Sequence, residues 1–289
     1  MKIAATADLH YNVPRSKAPT ERLAETLRDV DPDVLLLVGD LAGRDTDTLK
    51  RCFDLFAPMR ARRLYVPGNH ELWVRPGEDS LHRYRHRLAE ICTESGVQYL
   101  PAAPVVIGRI GFVGSIGWYD YSFRARSLPI PERFYHAKVA PGAAAMLDHH
   151  AHLLEDRSDL TDDLMAITTR WMDGVHVRMG LDDATFLGML IDDLNDHLRR
   201  AAESAETIVA AIHHLPFPEL VRRVDEGNWA FASAYMGSER LGQALLAEPK
   251  VRHVFCGHSH WPGQVKRGHL HCVNVGATYV IKRYKELIL

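Results

Sequence analysis

Cysteine is scarce: Cys52, Cys92, Cys256 and Cys272 are the only four, and they are scattered with no paired spacing. That pattern gives no basis for a disulfide framework or a zinc knuckle and leaves buried free thiols as the expectation. Charge of one sign is also lacking, because 35 Lys and Arg against 37 Asp and Glu give a formal net charge of -2. No global bias therefore points to nucleic acid or a membrane surface, although a local patch could still hold nucleic acid. Long apolar runs are missing as well. The first one stops at Asp8 and His10, too short for a signal peptide or a membrane span, so the expected location is cytoplasmic. Internal repeats and low-complexity tracts are absent too.

What is present fits a soluble globular protein with a sizeable core: 289 residues, 46% apolar and 25% charged. The reading is one domain over 1–289 with a helical insertion at 118–204. Short apolar runs at 3–7, 34–38 and 64–66 alternate with amphipathic stretches at 21–30 and 48–56, which reads as βαβαβ with buried strands. Residues 105–107 and 110–114 flank Gly108 and Arg109 as a hairpin, 207–212 and 251–256 read as buried strands, and Val265, 270–275 and 279–281 add short ones. Between 118 and 204 strand signals give way to helical spacing, as in Leu181, Phe186, Leu187, Leu190, Ile191, Leu194 and Leu198. The expected fold class is an α/β sandwich of two mixed β-sheets flanked by helices.

Histidine is abundant, at seventeen residues, and several fall in clusters that each follow a predicted strand. The clusters are Asp8 with His10; Gly39 and Asp40; Gly68, Asn69, His70 and Glu71; His213 and His214; and Gly257, His258, Ser259 and His260. Ligands of α/β sheets bind beyond the carboxyl ends of strands, so residues far apart in sequence can share one pocket. Imidazole and carboxylate without thiolate suit borderline divalent ions, with manganese, iron or zinc expected. Six or more candidate ligands exceed the needs of one four-coordinate ion. Two ions are implied, and at roughly 3.5 to 4 Å one carboxylate can bridge them. Gly39, Gly68 and Gly257 suit turns that crowd ligands together.

In this order the blocks resemble the calcineurin-like metallophosphoesterase superfamily, whose pattern runs Asp-x-His, Gly-Asp, Gly-Asn-His-(Asp or Glu), His and Gly-His-x-His. The resemblance runs from Asp8 to about Gly276, apart from the helical stretch. It implies that Asp8, His10, Asp40 and His260 hold one metal and that Asp40, Asn69, His213 and His258 hold the other, with Asp40 as the bridge. His214 is the alternative to His213, because Leu215 stands where the family usually has proline. The resemblance further implies in-line attack by a metal-bridging hydroxide, with His70 supplying or stabilising the leaving-group proton. Glu71 would orient His70 or raise its basicity, or else serve as a first-turn helix carboxylate.

Weaker candidates surround this set. Arg44, four positions after Asp40, would contact phosphate or be a solvated loop arginine. Trp118 and Tyr119 would line a substrate entrance or pack the helical stretch against the body. His149, His150 and His152 read as a solvated helix face rather than another metal site. The expected activity is hydrolysis of phosphate mono- or diesters, with a small-molecule or nucleotide substrate and no membrane partner. A nuclease of the same superfamily is the alternative, and a non-catalytic binding scaffold is less favoured because no ligand position has been lost.

Overall fold

Strands covered on both faces need apolar side chains at consecutive positions, and the unbroken Val34–Val38 run answers that need: all five residues are buried. The computed structural model describes residues 1–222, 224 and 226–289. Its first sheet has the order β11-β1-β2-β3-β4, from strands Lys2–Thr6 (β1), Val34–Val38 (β2), Arg62–Val66 (β3), Gln98–Tyr99 (β4) and Lys285–Ile288 (β11). The second has the order β5-β6-β7-β8-β10-β9, from Val105–Ile107 (β5), Ile110–Ser115 (β6), Thr207–Ile212 (β7), Val251–Cys256 (β8), Gly263–Arg267 (β9) and Leu270–Asn274 (β10). Both sheets are mixed: β11, β5 and β9 run antiparallel to their neighbours, and the other pairings are parallel.

Alternate residues of the strands meet between the sheets, among them Ile3, Leu36, Val66, Phe112, Val209 and Phe255. Residues of the opposite parity, such as Leu35, Leu37 and Tyr65, pack outward under the helices. Each fully buried side chain of this size contributes about 1.5–3 kcal/mol, so both layers favour the sandwich. The parallel strands β1, β2, β3, β7 and β8 all lead at their carboxyl ends into the polar clusters, which therefore converge from both sheets.

Three elements differ from expectation. The first helix is Pro14–Val30, starting seven residues before 21, with proline at its first turn where a missing N–H costs nothing. Residues 279–281 form no strand; Val280 and Ile281 are half exposed and the chain pairs only later, as Lys285–Ile288 on an outer edge of the first sheet. That edge strand, Lys-Glu-Leu-Ile, is charged in its first half and packs only Leu287 against the core between the sheets, which suits an edge and hides it from an apolar-run reading. Between β6 and β7, among the described residues, the chain forms no named strand, and its helices are mostly single turns. The exception is Asp183–Ala202, started by Asp182 accepting from Thr185 N–H and burying Phe186, Leu187, Leu190, Leu194 and Leu198 against β6 and β7. Leu181 lies before it and is partly exposed. Among the described residues, no helix is long and apolar enough to cross a membrane.

Candidate metal centre

The clusters hold an unusual backbone. Asp8, His10, Asp40, His258 and His260 have φ of 56°, 42°, 54°, 69° and 56°, a left-handed conformation that costs a side-chain-bearing residue roughly 1–2 kcal/mol. Such strain persists only where the surroundings over-determine it, and it concentrates at functional sites. Here, Asp8 N–H donates to Gly39 O at 3.0 Å, His10 N–H to Asp40 O at 2.8 Å and His258 N–H to Asp8 Oδ1 at 2.9 Å. Gly39 combines φ 80° with close packing, since a Cβ there would lie 2.3 Å from His213 Nδ1. Gly68 has an ordinary φ of -102°; it is needed for space, because its Cβ would stand 2.1 Å from Asp40 Oδ1.

These turns gather two groups of potential ligand atoms, each within 4.8 Å: Asp8, His10, Asp40 and His260, and Asp40, His213 and His258. Asp40 belongs to both. In the first group, His10 Nε2 lies 3.1 Å from His260 Nε2 and 3.7 Å from Asp40 Oδ2, while His260 Nε2 is 3.8 Å from Asp8 Oδ1. In the second, His213 Nδ1 donates to Val38 O at 2.9 Å, which leaves the Nε2 lone pair 3.5 Å from Asp40 Oδ2. His258 donates from Nε2 to Tyr235 O at 3.1 Å and keeps Nδ1 for the centre. Asn69 donates from Nδ2 to Asp173 Oδ1 at 2.8 Å. Its Oδ1, like Asp8 Oδ2 and His213 Nε2, is buried with no hydrogen-bond partner among the described residues.

Unpaired buried acceptors are costly and rare, and those of Asp8 and His213 belong to residues of the two groups, the kind of donor set a cation would satisfy. The protonation states of Asp40, His10 and His258 agree, while burial raises the pKa of Asp8. Burial pushes the Asp40 carboxyl up, but His70, His213 and His10 overrule it and hold it well below the usual carboxylate range. Burial, with neighbouring cationic groups, keeps His10 and His258 well below the usual imidazole value, hence neutral. His213 is depressed by burial yet raised overall to about 9 by Asp40, and a cation in place of that proton would use the same lone pair.

His70 borders the centre. Its N–H donates to Asp40 Oδ1 at 3.0 Å, its Nε2 lies 3.9 Å from Asp40 Oδ2, and its ring stacks on Trp73 at 3.9 Å while staying 22% exposed. Glu71 is placed differently from a partner of His70. Its fully buried carboxylate accepts the N–H groups of Asp40, Ala42, Gly43 and Gly68 at 2.8–3.0 Å, and among the described residues it makes no bond to His70. It braces the loop carrying Asp40, because neighbouring amides with no ladder partner need an acceptor.

Trp118 and Tyr119 are wholly buried rather than at an entrance: Trp118 Nε1 donates to Asp183 at 2.8 Å and Tyr119 OH to Asp173 at 3.1 Å. His214 lies outside both groups, with Nδ1 on Ile116 O at 3.0 Å and its ring 4.1 Å from that of His258; burial and His213 lower its pKa to about 3. Arg44 is exposed and, after burial, is the main influence lowering the pKa of His176, which faces Trp73 at 4.6 Å. His149, His150 and His152 sit on a 3-10 turn, Asp148–Leu154, outside both groups. Sequence reasoning missed Asp173, Tyr279 and Lys282. Tyr279 faces His10 at 4.9 Å and His260 at 5.3 Å, and Lys282 Nζ donates to Asp8 O at 2.8 Å. None of the three belongs to a motif, so no local signal marked them.

A strained, carboxylate-linked pair of metal positions at the strand ends of an α/β sandwich defines a metal-dependent phosphoesterase. The chain belongs to the calcineurin-like phosphoesterase family, whose profile matches residues 1–262. Among curated proteins, it is 35% identical over 129 residues to the [Acyl-carrier-protein] phosphodiesterase PptH of Mycobacterium tuberculosis. That alignment spans 41% of this chain and 38% of the relative, well under half of either. Among solved structures, the Phosphopantetheinyl Hydrolase PptH from Mycobacterium tuberculosis matches with a TM-score of 0.68 at 18% identity, covering 98% of this chain and 95% of that one. A dimetal phosphatase from Danio rerio matches with a TM-score of 0.51 at 14% identity, covering 99% and 91%. At such identities the structural likeness is one of fold.

Proposed function

We propose that this chain is a dinuclear phosphodiesterase in which Asp8, His10, Asp40 and His260 hold one divalent ion and Asp40, Asn69, His213 and His258 hold the other. The observation that carries the reading is the membership of Asp40 in both ligand groups. Two bound cations supply water of lowered pKa and neutralise charge on phosphoryl oxygens. The residues of the chain do the rest. Asp40, held ionised, would serve both positions, its Oδ2 lying 3.7 Å from His10 Nε2 and 3.5 Å from His213 Nε2, while the carbonyls of Val38 and Tyr235 fix the tautomers of His213 and His258 so that the free nitrogen faces inward. His70, partly exposed beside Asp40 and backed by Trp73, is placed to give a proton to the leaving oxygen.

The name of the curated relative favours a diester, and a phosphopantetheinyl group on a carrier protein is the first natural substrate class to test. The test is metal-free protein reconstituted separately with manganese, iron or zinc. It is assayed on bis-p-nitrophenyl phosphate, on p-nitrophenyl phosphate and on holo-acyl carrier protein, with Asp40→Ala as control. Metal-dependent turnover of the diesters, lost in the variant, is expected. Absence of turnover with every ion would leave a binding scaffold as the better account.

A further inference from the structure

Asp173 opens a single-turn helix (Asp173–His176) between β6 and β7, is 1% exposed, and collects four side-chain donors. Its Oδ1 accepts Asn69 Nδ2 at 2.8 Å and Trp73 Nε1 at 2.7 Å; its Oδ2 accepts Trp171 Nε1 at 2.8 Å and Tyr119 OH at 3.1 Å. Three of these donors lead directly to the metal centre. Asn69 is a candidate ligand, Trp73 stacks on His70, and Trp171 lies edge-on to His258 at 5.7 Å while stacking on Tyr235, whose carbonyl holds that histidine.

A carboxamide has two nearly isosteric orientations. With the amide of Asn69 turned over, its carbonyl oxygen would face Asp173 Oδ1, two acceptors in a buried space, and its NH2 group would face the cations. The accepting Oδ1 of Asp173 selects the other orientation, in which Asn69 Oδ1 is turned away from Asp173 and stays buried without a protein partner among the described residues, free for a cation.

We propose that Asp173 is a positioning residue through which the helical stretch between β6 and β7 sets occupancy of the second metal position, by orienting the Asn69 carbonyl and, through Trp73, the ring of His70. The proposal rests on the reading of Asn69 as a ligand. Its test is a Mn2+ titration of metal-free protein, with free and bound ion followed by electron paramagnetic resonance, which also distinguishes a coupled pair from a single ion.

Wild type is expected to bind two ions. Asp173→Asn is expected to keep one and to bind the second about 10- to 100-fold more weakly, because an amide at 173 can donate to Asn69 Oδ1 and hold it away. Asn69→Ala should show the same loss. Asp183→Asn is the control: Asp183 is also buried and accepts from Trp118, Tyr121 and Lys138, but it bonds no candidate ligand, so this variant should lose stability and keep two ions. Undiminished second-site affinity in Asp173→Asn, with loss in Asn69→Ala, overturns the proposal; undiminished affinity in both overturns the ligand reading instead. Asn69→Asp provides a test that stands even where Asp173→Asn does not fold. A carboxylate is ordinarily the stronger ligand, yet facing Asp173 it should bind the second ion at least about tenfold more weakly than wild type. Equal or tighter binding contradicts the proposed role.

Discussion

Glu71 Oε2 accepts the backbone N–H of Asp40 at 2.8 Å, so a buried carboxylate outside both ligand groups holds the peptide whose side chain belongs to both. The same carboxylate binds three further amides around that loop. Replacing it with an isosteric carboxamide would aim an NH2 group at N–H donors. Glu71→Gln is accordingly expected to lower stability by about 2–3 kcal/mol. Urea denaturation of the metal-free protein measures this, and an unchanged midpoint would show that the amides find other acceptors.

Asp40→Asn should weaken both metal positions together, because one substitution removes the shared anionic oxygen. A loss of at least about tenfold at each is expected. Metal analysis after dialysis against limiting Mn2+ decides it. Retention of two ions per chain would contradict the bridging assignment.

His70 touches Asp40 only through a backbone N–H and a ring nitrogen 3.9 Å away, so its loss should spare the metals. His70→Ala is expected to retain wild-type metal content and to slow diesters with poor leaving groups by about 100-fold or more, with a smaller effect on activated nitrophenyl esters. Equal losses across a leaving-group series would rule out proton donation.

Outside both ligand groups, His197 is buried in the helix Asp183–Ala202, and burial followed by Arg200 lowers its pKa below 6.5, against smaller opposing effects of Asp193 and Asp196. The unfolded chain therefore takes up a proton at higher pH than the folded one. This contribution to stability is complete above the unfolded pKa and falls as pH drops through it. His197→Gln should flatten the decline in the urea midpoint between about pH 7 and about pH 5 relative to wild type. Parallel curves would assign that decline to other groups, such as His253.

Much of this molecule was readable from local pattern. Apolar runs of strand length and the polar blocks after them require only neighbouring residues, and they placed Asp8, His10, Asp40, Asn69, His213, His258 and His260 after strands; the fold brings all of these but Asn69 into the two groups of potential ligand atoms. Other features depended on distant partners. That Glu71 would serve amides at 40, 42, 43 and 68, that Trp118 and Tyr119 would turn inward to Asp183 and Asp173, and that residues 278–282 would cross beside His10 instead of pairing as a strand all involve contacts between remote segments. Periodicity records which face of an element is apolar, because neighbours along the chain share that face. It carries no record of which donor a buried carboxylate meets about 100 residues away, since that depends on how the sheets and the helical stretch pack once they have formed.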